Sequence, residues 1–300
     1  MVYSLGYKIE LIGFDSMGSR GMATVIEIQG CKIFIDPGVS YAPRRYGLPP
    51  HPLELEVFNK HLNQIYKEVE DTTHIVISHY HRDHYLYRSG EEEYYKDKIL
   101  YIKDPENNIN VSQRIRAYNL LRKRGVDKLA KELNIADGAK YYIDENILLE
   151  FSPPVPHGKN GTPLGFVVMT YIYTDEVSIL HASDVQGPLH DYTKNYIIEK
   201  DPEILIISGP PTYFEGYRLD TKDIEKAIKS LIDIIDNTVN LNTIILDHHL
   251  LRDLEYRYKM KQLFDYVNSV KKVRVVTAAE FMGLPIRQLE ALRRRLWEEK

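Results

Sequence analysis

A layered α/β fold is the architecture this sequence predicts, on three observations. Short β-branched runs recur in both halves of the chain, helix-period stripes separate the later ones, and a histidine-rich loop leaves one short apolar run. The early runs are YKIELIGF (7–14), TVIEIQ (24–29) and KIFID (32–36), with Gly30 and Cys31 forming the tight turn between the last two. Gly, Pro and Tyr then crowd 37–52, the composition of a long ordered loop. Residues 53–70 place Leu55, Phe58, Leu62, Ile65 and Val69 on one helical face. HIVIS (74–78) has the continuous apolar character of a buried strand. Further strands are expected at 147–151, 164–173, 177–182, 203–208, 243–247 and 273–277, and helices at 221–236 and about 254–270. Leu289, Leu292 and Leu296 form a stripe that docks a last helix.

The composition narrows the classes. The chain has 300 residues, of which 43% are hydrophobic, enough for a full core and too apolar for disorder. No apolar run approaches the ~18 residues of a membrane span. Lys8 and Glu10 interrupt what would have to be a signal peptide's apolar stretch, so a cytoplasmic location is expected. The single cysteine, Cys31, excludes a disulfide framework and a cysteine-based zinc cluster. A net charge of -4 excludes a uniformly basic nucleic-acid coat protein, though not a local basic patch. Twenty-three tyrosines, with abundant Ile, Lys and Glu, suit a heat-adapted protein. With no linker or short repeat to mark a boundary, residues 1–300 are expected to form one domain. A basic helical stretch, about 106–135, interrupts the strand–helix rhythm as an insertion.

The informative segment is His79-Tyr80-His81-Arg82-Asp83-His84, directly after HIVIS. Residues two apart in extended backbone point the same way, so His79 and His81 can reach one cation. Asp83 and His84 can reach a second beside it. Imidazole and carboxylate donors suit Zn, Mn or Fe, and the mixture leaves positions open for water.

HxHxDH after a β-strand resembles the signature of the metallo-β-lactamase superfamily, in particular an archaeal branch of predicted metal-dependent hydrolases or ribonucleases. The resemblance covers roughly 5–285. It implies a four-layer αβ/βα sandwich with the metal site at one edge of two sheets. The family's early acidic motif matches Asp36 in FIDPG, with the role of holding the metal loop. Its lone histidine matches His157 in SPPVPHG, its bridging aspartate Asp184 in SILHASDVQG, and its late histidine His248 or His249 in TIILDHHL. The resemblance further implies two divalent metal ions, zinc first with Mn or Fe as alternatives. His79, His81 and His157 would hold one, Asp83, His84 and a late histidine the other, with Asp184 between. His181 is a candidate supporting group beside Asp184.

Strand alternation keeps His248 and His249 from starting on the same side. The late strand repeats the pattern of the first metal loop, an apolar run, one polar residue, then histidine. His248 is therefore expected on the metal and His249 in the pocket as a general acid.

Such a dinuclear site lowers the pKa of bound water from 15.7 toward ~7, which makes hydrolysis the default reaction, with Asp83 orienting or deprotonating the water. The insertion supplies the substrate clue, because Arg122, Lys123 and Arg124 lie in its most basic run. Together with Arg82 and, by analogy of fold, Arg44 and Arg45 at the rim, they point to a phosphodiester, RNA or DNA among the candidates. Hydrolysis of a small ester, thioester or lactone is the alternative reading. A metal-containing binding protein without turnover is a third. Oligomeric state is not legible.

Overall fold

The computed structural model describes residues 2–3, 6–159 and 161–299. Two mixed sheets face each other, each with seven strands among the described residues. In the first, Val2–Tyr3, Tyr7–Ile12, Ala23–Ile28, Cys31–Ile35, His74–Ile77, Ile99–Ile102 and Glu132–Ile135 lie in chain order. Its first four strands pair antiparallel and the rest parallel. The second runs Arg274–Val276, Thr243–Asp247, Ile204–Ser208, Ser178–Ser183, Thr170–Tyr173, Leu148–Phe151 and Lys140–Tyr142. Here the order turns from parallel to antiparallel at Ser178–Ser183.

Period-two alternation builds three cores from these strands. Ile33, Ile35, Val76, Ile204, Ile206 and Ile245 point between the sheets. Phe34, Ile75 and Ile77 point outward onto Phe58, Leu62, Ile65 and Val69 of the helix Pro52–Glu70. Leu205, Ile207, Ile244 and Leu246 point to the opposite outside, onto Ile224, Ile228, Leu231 and Ile235 of the helix Thr221–Asn237. The layers are therefore helix, sheet, sheet, helix, as the sequence predicts.

Several local expectations change. The hairpin turn is Gln29-Gly30, both at positive φ, and Cys31 already belongs to the strand. The run 164–173 is divided into Phe166–Val167, paired with Val155–Pro156, and Thr170–Tyr173. At the break, Val168 N donates to Ser78 O of the histidine loop (3.1 Å). The late helix is interrupted at the buried Met260, giving Tyr256–Lys259 and Lys261–Val270. The basic stretch carries the helix Val111–Tyr118, a π-turn Asn119–Lys123 and the short helix Val126–Leu129. It then rejoins the first sheet as Glu132–Ile135. That strand sits at a sheet edge with both faces partly open, so its sequence, ELNI, shows no alternation. No helix among the described residues is long and apolar enough to cross a membrane.

The helix Leu289–Glu298 ties the chain's end to the loop that rims the site. Arg293, fully buried, donates Nε and Nη2 to Glu54 (2.8 and 2.7 Å) and reaches the carbonyls of Ala42 and Leu48 (2.9 and 3.1 Å). Arg293→Ala would strand a buried carboxylate, so urea denaturation should show a loss of about 3–5 kcal/mol. The pair Arg293→Met with Glu54→Leu should recover most of it, because the desolvation cost is then removed with the charge.

Candidate metal centre

The cluster stands at the ends of the strands His74–Ile77, Val155–Pro156, Ser178–Ser183 and Thr243–Asp247, with Asp36 after Cys31–Ile35 beneath it, and three of these strand ends turn sharply. Asp36, Ser183 and His248 all adopt positive φ (52°, 51° and 57°), a region non-glycine residues rarely occupy. In the second sheet, the register with Ile204–Ser208 also shifts between His181 and Ser183, a bulge that re-aims the residues beyond it. Asp184 follows directly. Gly38 allows the FIDPG loop to lie against the histidine loop, since a Cβ there would stand 2.2 Å from Tyr85 N.

These turns bring the metal-binding candidates together. Donor atoms of His79, His81, His157 and Asp184 lie within 4.8 Å of one another, as do those of Asp83, His84 and His248. Asp184 is at the centre: its Oδ2 is 3.0 Å from His157 Nε2, 3.3 Å from His84 Nε2 and 3.7 Å from His79 Nε2, and its Oδ1 is 3.2 Å from His248 Nε2. The Nε2 atoms of His79, His84 and His157 and the Oδ1 of Asp184 are buried and make no hydrogen bond among the described residues. Orphaned buried polar atoms are costly. Convergent imidazole and carboxylate atoms of this kind fit divalent cations as their missing partners, in number enough for two.

The opposite ring nitrogens decide which lone pairs are free. Ser78 Oγ donates to Asp36 Oδ2 (2.6 Å) and so accepts from His79 Nδ1 (3.0 Å). His84 Nδ1 donates to Asp36 Oδ2 (2.9 Å) and His248 Nδ1 to Asp15 Oδ2 (2.7 Å). Each bond leaves Nε2 available to a cation, in the carboxylate–histidine–metal arrangement. Gln186 meets His157 Nδ1 at 3.2 Å, and either end of its amide can serve. His249 has no such choice. Arg252 Nη1 donates to its Nδ1 (3.0 Å), and a guanidinium has no acceptor, so the neutral ring carries its proton on Nε2, 3.4 Å from Asp184 Oδ2. Arg252 Nη2 also stands 3.2 Å from His248 Nε2 and 3.4 Å from its Nδ1.

The electrostatics of the protein alone follow from this crowding. Burial pushes the His81 pKa down to about 3, and the neighbouring His157 adds to the shift. Burial likewise holds His79 well below the ordinary imidazole value. At His84 and His248 burial works against charge but is outweighed by carboxylates, Asp184 with Asp36 at the first and Asp184 with Asp15 at the second; His248 rises to about 9. Asp83 and Asp184 stay ionised despite burial, held down chiefly by His84 and His248. Burial lifts Asp247 to about 6, although it accepts hydrogen bonds from the backbone of Ser16, His248 and Ala278.

Other predicted site residues fall elsewhere. Asp36 is not among the central donors; its fully buried carboxylate holds Ser78, Ser183 and His84. His181 supports none of the donors directly and spans the two sheets by bonding Met22 O (3.1 Å). Arg44 is exposed and lines none of the described cavities. Arg45 lies behind the site, over the Tyr213 ring and bonded to Arg252 O (3.2 Å), with Glu290 drawing it away from the rim. Arg122 faces away, ion-paired with Asp127 (2.6 Å). Arg82 lines the cavity over the cluster, and Lys123 and Arg124 line the cavity beside it. Strand alternation does not separate His248 from His249, because the strand ends at Asp247 and a 3₁₀ turn, His248–Arg252, succeeds it. Both rings consequently reach Asp184. Sequence reasoning missed Asp15, Arg252, Ser78 and Gln186. Asp15 did carry a signal, as an acidic residue after an early apolar run, in the manner of Asp36.

Two facing mixed sheets with this cluster at their edge define a metallo-β-lactamase fold. The metallo-beta-lactamase fold protein YhfI of Bacillus subtilis superposes with a TM-score of 0.51 at 12% identity, over 90% of this chain and 96% of that one. CmlA, a diiron beta-hydroxylase from Streptomyces venezuelae, does so with a TM-score of 0.54 at 12% identity, over 92% of this chain and about half (53%) of the hydroxylase. No protein-family profile matches the chain. A UPF0282 protein of Methanopyrus kandleri is 40% identical over 303 aligned positions, covering 98% of this chain and all of the relative. The chain belongs to the UPF0282 family.

Metal content measured by mass spectrometry after loading and desalting should fall in His248→Ala and be retained in His249→Ala. Metal loss confined to His249→Ala would reverse the assignment. Asp15→Asn should weaken metal affinity by about 10–100-fold, because it lowers the basicity of His248 and leaves the neighbouring Arg252 guanidinium without its carboxylate.

Proposed function

We propose that this protein is a metal-dependent hydrolase that cleaves phosphodiesters, with His79, His81 and His157 on one cation, Asp83, His84 and His248 on the other, and Asp184 shared. The observation that carries the substrate class is the cavity of about 570 Å³ over the cluster, into which Arg20, Arg82, Arg88, Arg116 and Arg252 all face. Arg20, Arg88 and Arg252 are neutralised by Glu290, Glu91 and Asp15. Arg82 and Arg116 have no carboxylate partner among the described residues. A guanidinium presents several donors in a plane that matches two phosphoryl oxygens, so this pair suits an anionic diester better than a neutral ester.

When bound, two divalent cations supply Lewis acidity and a water acidic enough to ionise near neutrality. Zinc is the first candidate, with Mn or Fe compatible with the same donors. Asp83 is the most solvent-facing carboxylate of the cluster and also lines the cavity, which suits it to orient the attacking water and accept its proton. Its ionised state at neutral pH suits it to accept a hydrogen bond from that water. His249 lines the same cavity, and Arg252 keeps its proton on Nε2, so the neutral ring can donate a hydrogen bond to the charge that develops on the departing oxygen. Arg82 and Arg116 hold the non-bridging oxygens.

Zinc- or manganese-loaded protein should hydrolyse bis-p-nitrophenyl phosphate and short RNA. Asp83→Ala should lower kcat by about 10²–10⁴, the usual contribution of a positioned base. Turnover of thioesters or lactones with phosphodiesters inert would replace this reading with that of a small-ester hydrolase. Inertness toward all three classes would leave a metal-containing binding protein.

A further inference from the structure

A second cavity of about 520 Å³ adjoins the one over the metal cluster, and the two share Arg82, Tyr87 and Arg116 in their walls. Its far side is one face of the basic helical stretch: Arg116, Asn119, Leu120 and Lys123 fall at i, i+3, i+4 and i+7. Arg124 reaches this cavity too, but Glu92 pairs with it at 3.0 Å inside the same space. Three cations are left without a carboxylate among the described residues. Arg116 is anchored by one bond, from Nη1 to Tyr80 O (3.1 Å), and Arg82 lies over the Tyr87 ring. Lys123 is exposed. The helix also widens here: Arg124 N donates to Asn119 O at 3.0 Å, the i+5 bond of a π-turn, a departure frequent at functional sites.

We propose that Lys123, continuing the row begun by Arg82 and Arg116, forms a second phosphate subsite, so that the substrate is a single-stranded nucleic acid with its scissile diester at the metals against the two guanidiniums and its next phosphate at Lys123. This rests on the phosphodiester reading of the metal centre and specifies its substrate. Two guanidiniums and an ammonium without carboxylate partners among the described residues, in adjoining cavities, match repeated charges along a chain, whereas a small diester with one phosphate would engage the guanidiniums and leave Lys123 unused. Of the two rings in its wall, Tyr85 is buried and Tyr87 already carries the guanidiniums of both Arg82 and Arg88, at 5.1 and 4.7 Å from its centroid. The subsite therefore reads the backbone and not the base.

The test is fluorescence anisotropy of the metal-loaded protein with a labelled single-stranded oligonucleotide, its linkages phosphorothioate so that charge is kept and cleavage slowed. Lys123→Ala and Arg116→Ala should each weaken binding about fivefold at about 0.1 M salt. Each should also flatten the log–log salt dependence by about 0.7. Arg116→Lys keeps the charge and should keep most of the slope, which guards against a folding defect in the alanine variant. Arg122→Ala, on the opposite face, should bind as the parent does. Unchanged affinity in both the Lys123 and Arg116 variants would overturn the subsite, as would an equal loss in Arg122→Ala. Cleavage of bis-p-nitrophenyl phosphate decides the metal-centre reading separately: the subsite can fail while that activity persists, and oligonucleotide binding can depend on Lys123 in a protein that cleaves nothing.

Discussion

The buried carboxylate of Asp36 is the constraint on which the metal centre depends. It accepts the Ser78 amide and hydroxyl, the Ser183 hydroxyl and His84 Nδ1, all within 3.0 Å. One group thereby fixes the backbone of the first sheet's histidine loop, one imidazole directly and a second through Ser78. It also reaches the residue immediately before Asp184 in the other sheet. A buried charge is tolerable only when its lone pairs are met by donors, and here meeting them assembles the cluster. Asp36 itself stands at positive φ just past its strand, which turns the carboxylate back under the loop it holds.

The same economy governs the late strand. Asp247 caps the 3₁₀ turn and ties it to Ser16 and Ala278, while Asp15, one residue before Ser16, takes His248 and Arg252. Asp15 and Asp247 thus act as a pair across the two sheets: one orients a candidate metal-binding ring, the other orients the backbone that carries it. Arg252 is charge-balanced by Asp15 and free to hold His249 in a single tautomer. Two adjacent histidines therefore have different free atoms although they share a turn. The difference comes from their partners, a carboxylate that accepts and a guanidinium that can only donate.

The basic helical stretch has two electrostatic faces. Arg122 pairs with Asp127 on one, while Arg116 and Lys123 have no carboxylate partner among the described residues on the other, beside the metal cavity. A charge count over the segment averages the two faces. The useful quantity is the charge remaining after local pairing on the side that meets the site. Of the arginines around the metal cavity, those paired with carboxylates hold the wall in shape, and Arg82 and Arg116, without a carboxylate among the described residues, are the ones the proposed diester would meet.

Local pattern determined much of this protein from sequence alone. Apolar runs dictated most strands of both sheets, though not the interior strand Ile99–Ile102, helical stripes dictated the helices Pro52–Glu70 and Thr221–Asn237 that cover them, and HYHRDH placed four metal-binding candidates in six residues. These are short-range properties, set by side-chain periodicity and backbone reach. Edge strands such as Glu132–Ile135 were not legible, because a strand open on both faces needs no alternation. Tertiary structure alone decided the supporting contacts. Asp15 meets His248 across 233 residues of chain, and Ser183 meets Asp36 across 147. It also decided that His248 would leave its strand in a left-handed turn, defeating the alternation rule, and that Arg45 and Arg122 would face away from the site. The physical reason is that a hydrogen bond's direction and an ion pair's partner depend on what the fold brings near, and the sequence records only which groups are available to be brought.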